Sequence, residues 1–232
     1  MLIVEQLASD PSTPGLLKVL TAAMSGGRTL ADEQNQSSAR DFQFEALVAA
    51  LFRRADYDVR LAEPDVVVMT ELGPIGVAAK RPRSEGNLRR LFEDADDQIR
   101  RSGHDGLVAV DISYLLLSNN LHIPATDGGF KVIKEAIDAF AADTWEDARR
   151  FVNPARTIGY IAYGALVAAR HGVPRRSIRG CLFALLPFMP GAKNRSPQLS
   201  VARGCSFGNF IPFSDPRMSL LRQLRERVTC AL

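Results

Sequence analysis

Residues 63–80 read EPDVVVMTELGPIGVAAK, a pattern that predicts two β-strands joined by a tight turn. The valines after Asp65 favour an extended strand, and Gly73-Pro74 supplies the turn. The returning strand ends at Lys80, where a basic cluster begins. A carboxylate is a ligand that Mg²⁺ prefers, and an ammonium beside it balances negative charge on a phosphate. We therefore expect Asp65 and Lys80 to face one pocket that binds a divalent metal and a phosphate.

Helices and strands are also predicted on both sides of this hairpin. Apolar residues spaced three and four apart predict a helix over residues 37–54, and a short strand over residues 57–61 follows it. The same spacing predicts a second helix over residues 85–101. Residues 106–112 are mostly apolar, which is typical of a strand that is buried on both faces. The predicted order is therefore helix, three strands, helix and strand.

Two polar residues lie on the apolar faces of the predicted helices. Glu45 lies at the edge of the first apolar stripe, where a carboxylate is costly unless it is paired or bound to a metal. An ion pair with Arg40 is the alternative explanation. Gln98 lies on the apolar face of the second helix, where it is either a structural amide or part of a site. We expect Glu45 to lie within reach of Asp65 and Lys80.

The order of these elements resembles that of the PD-(D/E)xK nuclease superfamily, which has the restriction-endonuclease-like fold. The resemblance covers residues 40–113, roughly a third of the chain. It implies an α/β fold with an αβββαβ core, in which helices flank a central mixed sheet, extended by a C-terminal α/β region. The residues that carry it are Phe44-Glu45-Ala46-Leu47, Pro64-Asp65, Lys80 and Ala95-x-x-Gln98.

The resemblance also implies a role for each of these polar residues. Asp65 corresponds to a metal ligand, and Glu45 to a helix carboxylate that often supports the metal. Lys80 corresponds to the catalytic lysine, and Gln98 to a glutamine that orients groups near the site. The four residues form the predicted catalytic set, and the implied cofactor is Mg²⁺ or Mn²⁺.

One position departs from the pattern of the superfamily. The superfamily has Asp or Glu two residues before the lysine, because alternate residues of a strand face the same side. Here that position is Ala78. Three explanations stay open: a natively degenerate site, another acid in the same role, or an acid that was replaced. Glu45 is the best substitute, and weaker ones on the second helix are Glu93, Asp94 and Asp97.

Positive charge is concentrated towards the C-terminus. Residues 149–232 contain 14 Lys and Arg but only 2 Asp and Glu, whereas residues 1–120 contain 13 and 18. Such asymmetry favours a surface for nucleic acid, although an acidic protein partner is an alternative. The residues that we predict to contact nucleic acid are Arg81, Arg83, Arg170, Arg175, Arg176 and Arg179.

The patterns divide the chain into three regions. Residues 1–36 are predicted to form an accessory arm with a short helix over residues 16–24, and residues 37–120 the nuclease-like core. Residues 121–232 are predicted to form a basic extension packed on the same core. Within this extension, the patterns predict helices over residues 130–151, 155–171 and 216–230, and strands over residues 177–188 and 199–205.

Cysteine usage and hydropathy bear on the compartment. The three cysteines are dispersed, which favours a reducing compartment and argues against a zinc site. No apolar run is long enough to cross a bilayer, and the N-terminus lacks the pattern of a secretory signal. We therefore expect a cytoplasmic protein that has no membrane contact. A homodimer or a protein partner is left open.

Two functions are consistent with these patterns. One is a metal-dependent nuclease, a hydrolase of phosphodiester bonds that acts on DNA in preference to RNA. The other is a catalytically inactive nuclease-fold module that binds nucleic acid or a protein partner, which Ala78 favours. The chain has no Gly-x-x-x-x-Gly-Lys phosphate loop, so the sequence does not indicate an ATP-driven function.

Overall fold

The computed structural model describes residues 15–24, 38–118, 129–169, 177–187, 220–224 and 226–227. A short 3-10 helix, Glu85–Asn87, precedes α3, and residues 220–224 are helical. The helices are α1 Leu16–Met24, α2 Ser38–Arg54, α3 Leu88–Ser102, α4 Ser113–Ser118 and α5 Gly129–Phe151. The strands are β1 Asp58–Arg60, β2 Val66–Thr70, β3 Gly73–Lys80, β4 Asp105–Asp111, β5 Thr157–Ala169 and β6 Ser177–Pro187.

The six strands form one mixed sheet in the order β1-β2-β3-β4-β5-β6. β1, β2 and β3 are antiparallel neighbours, and the predicted hairpin between β2 and β3 is confirmed. Its turn is at Glu71-Leu72, two residues earlier than predicted, because Gly73 and Pro74 already belong to β3 and pair with Thr70 and Met69. β3, β4 and β5 run parallel, whereas β6 pairs with β5 antiparallel. The carboxyl ends of the three parallel strands therefore lie at one edge of the sheet, which we call the carboxyl edge.

Helices cover both faces of the sheet. The α2-side core contains buried residues of α1, α2 and residues 220–224, packed against strand residues such as Val77 and Ala79. The α3-side core contains buried residues of α3 and α5, packed against strand residues such as Ala78 and Val108. Successive residues of β3 thus point into different cores, as the alternation of a strand requires.

The α/β class and the predicted order of elements are confirmed. The predicted helix over residues 16–24 coincides with α1, and Leu16 of this helix is buried in the α2-side core. The predicted strand over residues 177–188 corresponds to β6. The strand predicted over residues 199–205 lies outside the described residues, and part of the helix predicted over residues 216–230 is seen at residues 220–224.

The predicted helix over residues 155–171 is wrong, because residues 157–169 of this range form β5. The run is rich in alanine and glycine, and its apolar residues match a helix and a fully buried strand equally well. Residues 157–164 are buried except for the half-buried Ile161, and Tyr160 and Tyr163 lie in different cores, so no polar alternation marks this part as a strand. Gly164 permits close packing here, since an added Cβ would lie 2.8 Å from Ile137 Cδ1 of α5.

β5 and β6 continue past the carboxyl edge. The last pair between β4 and β5 is Asp111 with Tyr163, and residues 164–169 then pair with residues 177–182 of β6. Six further residues of strand extend the pairing by roughly 20 Å. α5 packs against β6. We call residues 164–169 and 177–182 the β5–β6 ribbon.

Gly106→Ala is expected to destabilise the protein. The added Cβ would lie 2.6 Å from the carbonyl oxygen of Gly76 on β3 and 2.8 Å from Ile99 Cγ2. Because the sheet backbone cannot retreat, this overpacking costs about 1–3 kcal/mol in the free energy of unfolding, which chemical denaturation measures. The control is Gly86→Ala, whose Cβ would have no described atom within 4 Å. Equal stability of the two variants would contradict the register of β3 and β4.

Candidate active site

Asp65 and Lys80 form a shielded ion pair at the carboxyl edge. Asp65 directly precedes β2, and its Oδ2 accepts a hydrogen bond of 2.7 Å from the backbone N–H of Ala79. Lys80 Nζ donates to the same oxygen at 3.4 Å. The two side chains are 14% and 21% exposed respectively, so solvent screens the pair only in part. The structure thus brings together the acid and the lysine that the hairpin pattern predicts.

Glu45 joins this pair from the opposing helix. The pKa of Glu45 is raised from 4.5 to about 7, chiefly by burial and also by the negative charges of Asp65 and Asp41, which Lys80 and Lys18 oppose. Burial also raises the pKa of Asp65, which Lys80 and the bond from Ala79 lower in part. Two carboxyl groups and one ammonium therefore converge where α2 passes over the end of β3.

The side chains at this site supply some of the oxygen ligands that a divalent ion needs. Within the described ranges, no group of three or more His, Cys, Asp or Glu side chains is arranged to hold a metal. Glu45 and Asp65 are two carboxylates whose mutual repulsion a divalent cation would relieve. Mg²⁺ is commonly held by one or two carboxylates, together with waters and substrate phosphate oxygens. The residues present fit an ion shared with a phosphate, not a cage formed by protein alone.

Gln98 contacts the bend before β2, in which Asp65 lies. Its Nε2 donates to the carbonyl oxygen of Pro64 at 3.4 Å, and its buried Oε1 has no hydrogen-bond partner among the described residues. The Pro64 ring lies directly over Gly76, where an added Cβ would be 2.8 Å from Pro64 Cδ. Gln98 and Gly76 therefore help to fix the position of Asp65.

Ala78 does not line an open ligand position. It is fully buried in the α3-side core with Phe92 and Ala95 of α3. A carboxylate at position 78 would enter this apolar packing, where an unpaired charge is strongly disfavoured. A third acid at this position would therefore require α3 to shift away from the strand.

The acids on α3 that are weaker candidates to replace the missing strand acid do not reach the site. All three acids are exposed and form ion pairs with arginines of their own helix. The pairs are Glu93 with Arg89, Asp94 with Arg90 and Asp97 with Arg100. The pKa of Glu45, by contrast, is shifted by the charges of both Asp65 and Lys80.

The arginines predicted to contact nucleic acid lie in different environments. Arg83 is exposed just beyond β3, and Arg179 lies in β6, paired with Val167 of β5. Arg81, by contrast, is shielded from solvent, because its side chain is only 8% exposed and its Nε donates to Asp111 Oδ2 at 3.0 Å. The other three, Arg170, Arg175 and Arg176, lie outside the described residues.

Sequence reasoning missed Asp111, the buried partner of Arg81. Asp111 is the last residue of β4 and is 9% exposed. Its Oδ1 accepts hydrogen bonds from the backbone N–H and the hydroxyl of Ser113. The sequence signal for this residue is an acid at the end of a predicted strand, two residues before a serine. This spacing is typical of an Asp side chain that hydrogen-bonds the backbone of a turn.

Comparisons with family models, with curated proteins and with solved structures gave no match. No helix in the described ranges is long and apolar enough to cross a membrane.

Glu45→Gln is expected to change the dependence of stability on pH. Because the pKa of Glu45 is raised from 4.5 to about 7 by folding, the folded chain binds more protons than the unfolded chain between these values. The carboxyl group therefore lowers stability as pH rises from 4.5 to 7, and the full penalty is present above 7. The neutral amide removes this loss.

Thermal unfolding in metal-free buffer measures this effect. The difference in Tm between Glu45→Gln and the parent chain should be more favourable to the variant at pH 8 than at pH 5. Asp94→Asn, at an exposed acid on α3, is the control and should give the same difference at both pH values. A Tm difference for Glu45→Gln that does not change with pH would contradict the raised pKa.

Proposed function

We propose that this chain is a metal-dependent nuclease-like protein with the restriction-endonuclease-like fold, acting on phosphodiester bonds of DNA in preference to RNA. The observation that carries the proposal is the convergence of Asp65, Lys80 and Glu45 at the end of β3. These residues come from the same elements, in the same order, as the motif residues of the PD-(D/E)xK superfamily.

Each residue has a role that follows from its charge and position. Asp65 and Glu45 would hold Mg²⁺ or Mn²⁺, which when bound polarises the phosphate and lowers the pKa of a water ligand. Lys80 lies beside Asp65 and balances the negative charge that develops on the phosphate oxygens. Gln98 keeps Pro64, and therefore Asp65, in position from α3.

A second candidate function is binding without cleavage. Ala78 supports it, because position 78 is occupied by core packing instead of a metal ligand. The site then keeps two carboxylates, Asp65 and Glu45, but lacks the second strand acid of the superfamily pattern. In this form the chain would bind nucleic acid or a protein partner.

The charge of the C-terminal part supports nucleic acid as the ligand. Residues 157–187, which contain β5, β6 and their connection, carry four arginines and no Asp or Glu. Ala169 pairs with Ser177, so the paired ends of β5 and β6 lie on the side of the carboxyl edge, where Lys80 also lies. Arginine is well suited to phosphate because its planar donors match two oxygens at once.

Lys80→Met is expected to abolish most cleavage. The test incubates linear and circular duplex DNA, single-stranded DNA and RNA with Mg²⁺ or Mn²⁺, and with EDTA as the metal-free control. Losing one preorganised charge at the phosphate lowers kcat by about 10²–10³-fold. The matched control is Lys134→Met, which removes a lysine from an ion pair with Asp138 on α5 and should cleave as the parent does.

The cleavage assay, together with a measurement of DNA binding, separates the two candidate functions. Metal-dependent cutting that is lost in Lys80→Met supports the nuclease. Absence of cutting by the parent chain, with DNA binding retained, supports the binding module. Absence of both cutting and binding would refute a nucleic-acid function.

A triple variant is expected to bind DNA more weakly and with a smaller dependence on salt concentration; it carries Gln at positions 170, 175 and 176 in place of arginine. If all three contact phosphates, the slope of log K against log salt concentration becomes shallower by about 2–3. Fluorescence anisotropy in EDTA measures this without cleavage. The control replaces Arg89 and Arg90, which are already paired with acids on α3. An unchanged slope in the triple variant would place the DNA surface elsewhere.

A further inference from the structure

Arg81 lies between two carboxylates at the carboxyl edge, next to Lys80 in the chain. Its Nε is 3.0 Å from Asp111 Oδ2 and its Nη1 is 3.8 Å from Asp41 Oδ1. The side chain of Arg81 is 8% exposed, that of Asp111 is 11% exposed and that of Asp41 is 60% exposed. The guanidinium thus connects a buried acid on the sheet with a more exposed acid on α2.

The sheet side of this connection is rigidly held. Asp111 ends β4, and its second oxygen accepts two hydrogen bonds from Ser113, the first residue of α4. Charges this deeply buried are stable only when their hydrogen bonds are satisfied. Asp111 is therefore a fixed point against which the guanidinium of Arg81 is oriented.

The helix side of the connection leads to Glu45. Asp41 lies in the first turn of α2, and Glu45 follows it by four residues on the same side of the helix. The charge of Asp41 interacts with Glu45, together with the charges of Lys18 on α1, Asp65 and Lys80. A contact that holds Asp41 therefore also holds the helical turn that presents Glu45 to the site.

We propose that Arg81 is a positioning residue, whose guanidinium holds the first turns of α2 against the ends of β3 and β4 so that Glu45 stands over Asp65 and Lys80. This inference rests on the proposed function, since it assigns Arg81 to the organisation of that same site. The planar guanidinium reaches two carboxylates in different directions, whereas the ammonium of a lysine is a single point charge.

Two measurements test the proposal, and neither needs cleavage. The first is site-resolved amide hydrogen exchange of the metal-free chain, comparing Glu45 with Leu51 later in α2. In Arg81→Met, exchange at Glu45 should accelerate at least about 10-fold relative to Leu51, because the first turns open locally. The second is Mn²⁺ affinity by electron paramagnetic resonance, which should fall about 10–100-fold.

The control and the conservative variant sharpen the test. Arg156→Met removes an arginine whose Nη1 is 3.4 Å from Asp105 at the opposite edge of the sheet, and it should change neither readout. Arg81→Lys keeps the positive charge but not the two-directional contact, so it should give intermediate values. If Arg81→Met does not fold, Arg81→Lys alone tests whether Arg81 positions Glu45.

The outcomes separate this inference from the proposed function. If Arg81→Met and Arg81→Lys behave as the parent does, or if exchange accelerates while Mn²⁺ affinity stays within about twofold, the positioning role is wrong and the nuclease proposal is untouched. If the parent chain does not bind Mn²⁺, the metal proposal fails. The exchange comparison then still decides whether Arg81 holds the turn that carries Glu45.

Discussion

The carboxylate of Asp65 is shared between a backbone N–H at the end of β3 and the ammonium of Lys80. This single oxygen ties the chain before β2 to the last residues of β3, and the rest of the carboxyl edge is arranged around it. Pro64 packs over Gly76 and receives a hydrogen bond from Gln98, so both sides of the corner are held. The bend that carries Asp65 is therefore fixed against β3 and α3.

The convergence of Glu45 with Asp65 is unfavourable in the chain by itself. Burial and the like charges of Asp65 and Asp41 both raise the pKa of Glu45, and the charges of Lys80 and Lys18 compensate only in part. Proteins tolerate such repulsion where a ligand relieves it, because strongly shifted carboxyl groups gather at functional sites more often than elsewhere. An ion and a phosphate are ligands with suitable charge, which is why the geometry and the electrostatics support the same proposal.

Much of the core was predictable because its signals are local. Strand formers around Gly73-Pro74 predicted the hairpin, and apolar spacing predicted α2 and α3 to within a few residues. β5 was not predictable in the same way, since an alanine-rich run buried on both faces has no distinguishing period.

Side-chain environments were harder to predict than elements. The burial of Arg81 depends on Asp111, which is 30 residues away in the chain, and a basic cluster looks solvated until that partner is known. The arginine partners of Glu93, Asp94 and Asp97 are local, at three or four residues, yet the outward direction of these acids became clear only once α3 was placed on the sheet. The role of Ala78 likewise depends on which helix covers it.

Ala78 and Ala79 point into opposite cores immediately before Lys80. Each contributes one methyl group to the thickness of the layer between β3 and a helix, so the depth at which α2 and α3 sit depends on side chains that carry no charge. The separation between the helix carboxylate and the strand lysine is therefore a property of core volume. The distance between these two charged groups can therefore change through apolar substitutions that leave every polar residue of the site intact.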